Sequence, residues 1–344
     1  MRACTRTFLI IPLLLAGLLL SGCANAYIKG KQQPKVPTGT DQLATVQQAA
    51  AQLTKARSAR FQVVMRTSGT VEGAAGTTTA QGAWDWVANK GWSEETSHEM
   101  GTTFTTRTIT IGATTWTGMP NPTQPVDTMP GSGKIPDAVA KQIAKDIANA
   151  QRAKPWTKIT LPKWMTTLGG SSPLMGFGAG IGGGSDPSEG LAFLNAAQRV
   201  TTVGQEQVRG VLTTRYRVTF DMAKVEEKAL AAAKKAGAPN LPDPATAQAE
   251  MRKAGLEAFP IDVWIDAQGR IRRMHYQMTM TIPDTIPGEP AGLKGGRLTT
   301  DSTIDLFDFG VPVHVSPPPA SQVQDMGDLT SSSGPSASGS DTTP

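Results

Sequence analysis

The first residue that could carry chemistry is Cys23, which follows the phrase Leu20-Ser21-Gly22 near the start of the 344-residue chain. Two arginines among the first six residues precede an apolar run over residues 8–20. A basic start, an apolar run and small residues at its end are the parts of a secretory signal peptide. The run is shorter than the roughly 20 residues that a membrane-spanning helix needs. The pattern therefore predicts a signal peptide over residues 1–22.

The phrase Leu20-Ser21-Gly22-Cys23 resembles the lipobox of bacterial lipoproteins. The resemblance implies that the Cys23 sulfur receives a diacylglycerol thioether and that Cys23 becomes the first residue of the mature protein. Acyl chains contribute about 0.8 kcal/mol per buried methylene, so such an anchor would hold the chain at the extracytoplasmic face of the cell membrane. Residues 23–39 are predicted as the acylated cysteine and a flexible tether. The alternatives are an uncleaved anchor and an ordinary signal peptide with a chance cysteine.

The other reactive side chains form no pattern that is typical of catalysis or metal binding. Cys4 lies in the signal peptide, so the chain after residue 23 has no cysteine for disulfides or thiolate–metal bonds. The three histidines, His98, His275 and His314, are far apart in the sequence. The Gly-x-Ser-x-Gly motif of a serine nucleophile is absent. We therefore predict no enzyme activity, no cofactor and no metal site.

Two further features exclude function classes. The glycines at 178, 180 and 183 match the letters of a dinucleotide fingerprint. They lack the preceding buried strand that this motif needs, and they predict a loop instead. The net charge of +5 is spread along the chain, which does not indicate nucleic-acid binding.

The first half of the chain predicts one helix followed by an antiparallel meander. The helix begins at Thr40 or Asp41 and ends near Arg57, because its apolar residues recur every three or four positions. Alternating residues and threonine-, valine- and tryptophan-rich stretches then predict strands. These strands cover 61–65, 77–86, 91–100, 104–117 and 154–159. Loops are predicted at 120–133 and 169–185, and helices at 136–147 and 186–197.

The second half predicts two hairpins, two helices and a last strand. One hairpin covers 200–222, and the other joins 261–266 to 269–282 through Ala267-Gln268-Gly269. The predicted helices cover 223–236 and 244–258, and the last strand covers 298–309. After Met326 the chain is serine, glycine, threonine and proline, so residues 327–344 are predicted to be a disordered tail.

Two of these strands have one apolar face and one polar face. Tyr216, Val218 and Phe220 alternate with arginine and threonine, and a methionine stripe alternates with Arg273, His275 and other polar residues. The stripe consists of Met274, Tyr276, Met278 and Met280. Methionine is adaptable, so it suits either an ordinary core or a wall that accommodates variable acyl chains.

Three arginines beside the second hairpin also leave two interpretations open. Arg270, Arg272 and Arg273 could contact lipid phosphates. The alternative, which the sequence favours, is a solvated hairpin end.

Several phrases, in order behind the lipobox, resemble a known family. They are Val203-Gly204-Gln205-Glu206-Gln207-Val208-Arg209-Gly210, Thr213-Thr214-Arg215-Tyr216-Arg217-Val218, Val263-Trp264-Ile265-Asp266, Gly269-Arg270, Arg272-Arg273-Met274, Asp308-Phe309-Gly310-Val311-Pro312-Val313 and Pro317-Pro318. The chain from about 40 to 326 is similar to the LppX–LprAFG-type lipoproteins of actinobacteria, which resemble LolA. Arg215 departs from the family's pattern, where a histidine is expected in this phrase.

The resemblance implies an α+β fold: a single curved antiparallel sheet, or half-barrel, with helices packed on its concave face. It also implies an apolar cavity for acyl chains. We expect one domain over 40–326 that binds a lipid or other amphiphile for carriage or presentation in the cell envelope, as a monomer. The expected ligand wall is Tyr216, Val218, Phe220, Met274, Tyr276, Met278 and Met280. The alternative is a pocketless interaction module that docks on an envelope partner or sensor protein.

Overall fold

A computed structural model of the chain describes residues 40–70, 75–99, 102–118, 153–161, 194, 196–238, 241–256, 260–281 and 296–328. These residues all belong to one compact unit. The predicted signal peptide, Cys23 and the tether lie outside the described residues. So do the predicted loops at 120–133 and 169–185, the predicted helix at 136–147 and the chain from 329 onward.

Three α-helices, one 3-10 helix (Ala320–Gln322) and twelve strands lie within the described ranges. The helices are α1 (Thr40–Ala56), α2 (Met222–Lys235) and α3 (Pro244–Lys253). The strands are β1 (Ser58–Gly69), β2 (Gly76–Asp85), β3 (Lys90–Glu99), β4 (Thr102–Ile111), β5 (Thr114–Gly118), β6 (Trp156–Thr160), β7 (Ala197–Val208), β8 (Val211–Phe220), β9 (Ile261–Asp266), β10 (Ile271–Thr281), β11 (Arg297–Phe307) and β12 (Val323–Asp328).

All twelve strands belong to one open, curved sheet, in the order β12-β6-β5-β4-β3-β2-β1-β11-β10-β9-β8-β7. Every neighbouring pair is antiparallel except β12 and β6, which are parallel. The α+β class with one curved, mainly antiparallel sheet and helices on its concave face is confirmed.

The two faces of the sheet are distinguished by the alternation of side chains along each strand. We call inner the face that carries Phe61 and Val63 on β1, and outer the face that carries Arg60 and Gln62. Helix α1 buries Val46 and Leu53 in the same core as the inner-face residues. Residues of α2 and α3 join this core as well, so the helices pack on the inner, concave face.

Tight turns connect the strands at one end of the sheet. Arg209 and Gly210, both with positive φ (49° and 77°), link β7 to β8. Left-handed conformations at two successive residues favour the twist of a two-residue hairpin. Gly269, with φ 75°, closes the predicted turn between β9 and β10. Arg57, with φ 69°, ends α1 and lets the chain reverse into β1.

Several predicted boundaries are wrong. The strand expected over 104–117 is two strands, β4 and β5, because Gly112 adopts φ 61° and reverses the chain. Ala197 begins β7 and does not end a helix. Helix α3 ends at Lys253, before the predicted residue 258. Strand β12 (Val323–Asp328) is not among the predicted strands.

The three described α-helices include none that is long and apolar enough to cross a membrane.

Candidate functional site

The seven residues predicted as a ligand wall lie together on the inner face. Tyr216, Val218 and Phe220 on β8 are 0–5% exposed, and Met274, Tyr276 and Met278 on β10 are 3–6% exposed. Met280 is half-buried and packs against the same core. The structure brings these residues together; their role in ligand binding stays a prediction.

Strand β9 connects the two predicted stripes. Val263 pairs with Tyr216 on one side and with Met274 on the other. Ile261 stands in the same way between Val218 and Tyr276. The first of these rows continues across the sheet in register. It contains Tyr216, Val263, Met274, Ile304, Val63 and Ala80.

Several residues of this surface lie outside the predicted ligand wall. On β9, Ile261, Val263 and Ile265 are 0–4% exposed and face the core. Their alternation with Asp262 and Asp266 is visible in the sequence and could have identified them. Leu53 lies on the predicted apolar face of α1, whereas only the fold places Ile304 of β11 in the core.

In the next row along the strands, the apolar surface contains the hydroxyl groups of Tyr276 and Ser302. Tyr276 pairs in register with Ser302 of β11, which is 0% exposed. Burial raises the pKa of the Tyr276 phenol to about 12, and a hydrogen bond with Ser302 partly opposes this shift. The phenol is therefore neutral at physiological pH, and the inner-face positions of β8–β11 in the described ranges carry no ionised side chain.

The outer face of the same strands is charged and internally paired. Asp262 of β9, 4% exposed, accepts hydrogen bonds from Arg215 and Arg217 of β8; the Nε of Arg217 is 2.8 Å from Oδ1. Burial raises the pKa of Asp262, but the hydrogen bonds from both arginines outweigh it, so the pKa lies below its ordinary value. Asp262 is thus held as a carboxylate.

A second carboxylate organises the β9–β10 turn. The Asp266 side chain is 0% exposed and accepts from the Nε atoms of Arg270 and Arg272 at 3.0 and 2.7 Å. It also accepts from the backbone N–H groups of Gln268 and Arg270. Burial raises the pKa of Asp266, but these hydrogen bonds lower it below its ordinary value. The two arginines considered for lipid phosphates are therefore engaged within the hairpin.

The third arginine of that group is also paired. Arg273 donates to both oxygens of Asp305 on β11, at 2.6 and 2.8 Å. Its guanidinium and that of Arg215 lie over the Trp264 ring, at 6.0 and 4.8 Å from the ring centroid. The Trp264 indole N–H donates to Glu206. This face is a connected polar lattice, in which Asp262, Asp266 and Asp305 each accept hydrogen bonds from two arginines.

The histidines form no metal site in the described ranges, where no cluster of potential ligands occurs. His275 lies on the outer face of β10, 3.1 Å from Asp301 of β11. His98 contacts the Thr103 hydroxyl at 2.8 Å across the β3–β4 pair.

Comparisons with known proteins extend the resemblance. No family model matches the chain. An uncharacterized 31.2 kDa protein of Streptomyces griseus is 28% identical over 157 residues, or 44% of this chain. The match spans 42% of the length of that curated relative.

Among solved structures, the lipoprotein LppX of Mycobacterium tuberculosis is similar over 81% of this chain and 100% of its own, with a TM-score of 0.37 and 15% identity. LprF of Mycobacterium bovis covers 81% of this chain and 98% of its own, at a TM-score of 0.35 and 13% identity. A putative outer membrane lipoprotein-sorting domain of Vibrio parahaemolyticus covers 79% and 94%, at 0.22 and 10%. The predicted resemblance to lipoproteins of the LppX and LolA type is confirmed.

Proposed function

We propose that this chain is a membrane-anchored extracytoplasmic lipoprotein that binds the acyl chains of a lipid or other amphiphile against the inner face, under α1, α2 and α3. The bound molecule would be carried or presented in the cell envelope. The lipobox supports the anchor, and the inner face supports the ligand class.

The observation that carries the proposal is the apolar row across six neighbouring strands. The row from Tyr216 to Ala80 crosses β8, β9, β10, β11, β1 and β2 in continuous register. A surface without ionised groups suits hydrocarbon and disfavours a charged headgroup. An acyl chain that moves from bilayer to this surface exchanges one apolar environment for another, so transfer needs little net free energy, while exposure to water costs about 25 cal/mol per Å².

The methionines give this surface its capacity to adapt. Met274, Met278 and Met280 are unbranched and can change rotamer without the strain that a β-branched side chain meets. They lie on β10, near the centre of the six neighbouring strands β1, β11, β10, β9, β8 and β7. We therefore assign the contact with variable acyl chains first to this strand.

A double substitution on β10 tests the ligand wall. Met278→Asp with Met280→Asp places two carboxylates on the inner face, and uptake of a fluorescent fatty-acyl probe by the 24–344 chain should be lost. The matched control is Gln277→Asp with Thr279→Asp, which adds the same charge to the outer face of the same strand. Equal uptake by both folded variants would refute the assignment of the wall.

The anchor is tested separately. Cys23→Ala should abolish metabolic labelling with palmitate and should leave the precursor unprocessed, because the thioether forms on the cysteine sulfur. Unchanged labelling and processing would show that the lipobox assignment is wrong.

A second candidate function has its own supporting observation. The wall residues pack closely with α1, whose Val46 and Ala49 are 0% exposed. A core filled in this way suits an interaction module that docks on an envelope partner and binds no lipid. A folded chain that neither copurifies with lipid nor takes up acyl probes would favour this function.

A further inference from the structure

The C-terminal segment 311–328, which we call the strap, follows the last central strand. Val311, Val313 and Val315 alternate with three exposed residues, and Val313 is 5% exposed. This alternation is that of an extended chain with one apolar side against a surface. The first residues of the strap therefore pack against an apolar surface.

The start of the strap is fixed on the outer face. The Ser58 hydroxyl donates to the Val311 carbonyl at 2.5 Å, and the Gly310 N–H donates to the Ser58 carbonyl at 2.8 Å. Ser58 is an outer-face residue of β1, since its neighbour Ala59 shares the inner face with Phe61. The strap thus leaves β11 on the outer side of the sheet.

The end of the strap is β12, which adds to the edge of the sheet. Val323 pairs with Trp156 at the beginning of β6, and the Lys158 Nζ is 2.8 Å from the Asp325 carboxylate. This is the parallel pair of the sheet, and its register shifts between Asp325 and Asp328. Met326 is 56% exposed.

The two fixed points leave little slack between them. From β1 to β12 there are six strand positions, or about 29 Å across the sheet. Ser58 is level in register with Thr160, so Trp156 lies four residues, about 13 Å, further along β6. The direct path is thus about 32 Å. The twelve residues from Val311 to Val323 include the 3-10 helix Ala320–Gln322, which rises about 2 Å per residue, so they reach about 36 Å at most.

An apolar row lies on the outer face beneath this path. Ala83, Trp92, Ile109 and Trp116 follow one another in register across β2, β3, β4 and β5. Ala83, Ile109 and Trp116 are only 5–9% exposed. The next residue in the row is Lys158, which pairs with the strap. At about 3.3 Å per residue the three valines reach from β1 to about β3, so they are in line with Ala83 and Trp92. The prolines at 317–319 are then in line with Ile109 and Trp116.

We propose that the outer face of β2–β6 is a binding site for an extended polypeptide, which the chain fills with its own strap and which the strap of a second copy fills in an exchanged dimer. The ligand is defined by its chemistry: alternating valines over Ala83 and Trp92, prolines over Ile109 and Trp116, then a short strand parallel to β6 with an acidic residue opposite Lys158. Each copy carries both the site and its ligand, and exchange of such an element is a common route to dimers. The inference is independent of lipid binding.

The first experiment measures binding of a fluorescent synthetic peptide of residues 311–328 to the 24–344 chain. Val313→Asp should release the strap and expose the site. A tethered competitor acts at millimolar effective concentration, so this variant should bind the peptide at least about 100-fold more tightly than the unsubstituted chain. His314→Asp, an exposed neighbour with the same added charge, is the matched control and should behave like the unsubstituted chain.

The Lys158–Asp325 ion pair is expected to fix the orientation of the bound peptide. With Val313→Asp in place, Lys158→Asp should weaken binding of the native peptide, and an Asp325→Lys peptide should restore it. Release of residues 311–328 to protease without peptide binding would overturn the proposal. So would a strap as protected in Val313→Asp as in the control.

The exchanged dimer is tested on the unsubstituted chain, so the test stands even if Val313→Asp does not fold. Isotopically labelled and unlabelled chains are mixed at high concentration, and a carbodiimide then joins Lys158 to Asp325. Cross-linked peptides that combine one labelled and one unlabelled half are expected in the dimer fraction. Cross-links of uniform isotope content alone would overturn exchange between copies.

Discussion

The sheet has two parts whose faces are used in opposite ways. In the helix-covered part, β7–β11 and β1, the inner face is apolar and the outer face carries paired charges such as Asp262 with Arg217. In the strap part, β2–β6 and β12, the inner face carries buried hydroxyls, including Ser93 and Thr108, and the outer face carries the row around Ile109.

The difference shows that a continuous sheet need not have one apolar side. The longest apolar row of each part lies on the face that another segment covers, and β2 at the boundary also buries Ala80 and Trp84 on the inner face. Helices cover the inner face of one part, and we infer that the strap covers the outer face of the other. The two parts also protect the edges of the sheet from pairing with other chains in different ways. At one edge β12 pairs with β6, and at the other edge the register of β7 is irregular near Ala197 and Thr202.

The largest expected effect is on the inner face. Val263 is 0% exposed and stands between Tyr216 and Met274. Val263→Asp should prevent folding, a cost of roughly 4 kcal/mol or more, because it buries an unpaired carboxylate. Urea unfolding followed by circular dichroism measures this. Val64→Asp, on the outer face of β1, should cost far less; similar losses would remove the distinction between faces.

The next effect concerns the charged outer face. Asp266→Ala should cost roughly 3 kcal/mol at pH 7, since it leaves Arg270 and Arg272 without their buried partner. The lowered pKa of Asp266 means that its contribution is present above its unfolded pKa and is lost as the pH falls through the folded value. The cost of the substitution should therefore shrink in acid.

The control for Asp266 is an exposed pair. Arg60→Ala removes a 3.7 Å contact with Asp308 whose side chains are 60% and 51% exposed. Such pairs contribute about 0–1 kcal/mol. If Asp266→Ala were no more costly than Arg60→Ala, the outer lattice would be ordinary surface charge.

A smaller effect is expected on the outer face of the strap part. Ile109→Ala should cost about 2 kcal/mol, because Ile109 is 8% exposed. Thr105→Ala, at an outer-face position of the same strand, should stay within about 0.5 kcal/mol. Thermal unfolding of both variants decides whether the outer row is covered; equal small effects would mean that it is not.

The smallest effect is a pH dependence. The pKa of Tyr276 is raised to about 12, so the folded state keeps a proton that the unfolded state loses from about pH 10. Stability is complete below pH 10 and should fall by about 1.4 kcal/mol by pH 11 through this group. Tyr276→Phe should show a flatter decline of stability between pH 9 and 11. A parallel decline in both proteins would contradict the assigned burial effect.

Sequence patterns predicted the helix-covered part well for a physical reason. Period-two alternation on β8 and β10 and helical spacing on α1 report burial on one side, and each is local. The ends of the threonine-rich strands are harder to predict, because threonine is half-buried on either face and does not indicate which face of the strand is buried. The turn at Gly112 therefore remained hidden within one predicted strand.

Contacts between residues that are far apart in the chain could not be predicted from the sequence. Nothing local to Arg273 indicates that its partner is Asp305, and nothing local to Val323 indicates β6. Both depend on strand order, which joins β10 to β11 and places β12 at the far edge. The sequence alone therefore allows both lipid contact and solvation for the arginines at 270, 272 and 273, whereas the structure pairs them with aspartates.

The central claim is that the inner face holds acyl chains. The most direct test is mass spectrometry of organic extracts from the 24–344 chain, purified after expression in an actinobacterial host beside the Met278→Asp/Met280→Asp variant. We predict a stoichiometric lipid in the unsubstituted protein that is absent from the folded variant. A folded protein that is empty, and that also takes up no acyl probe, would contradict lipid carriage.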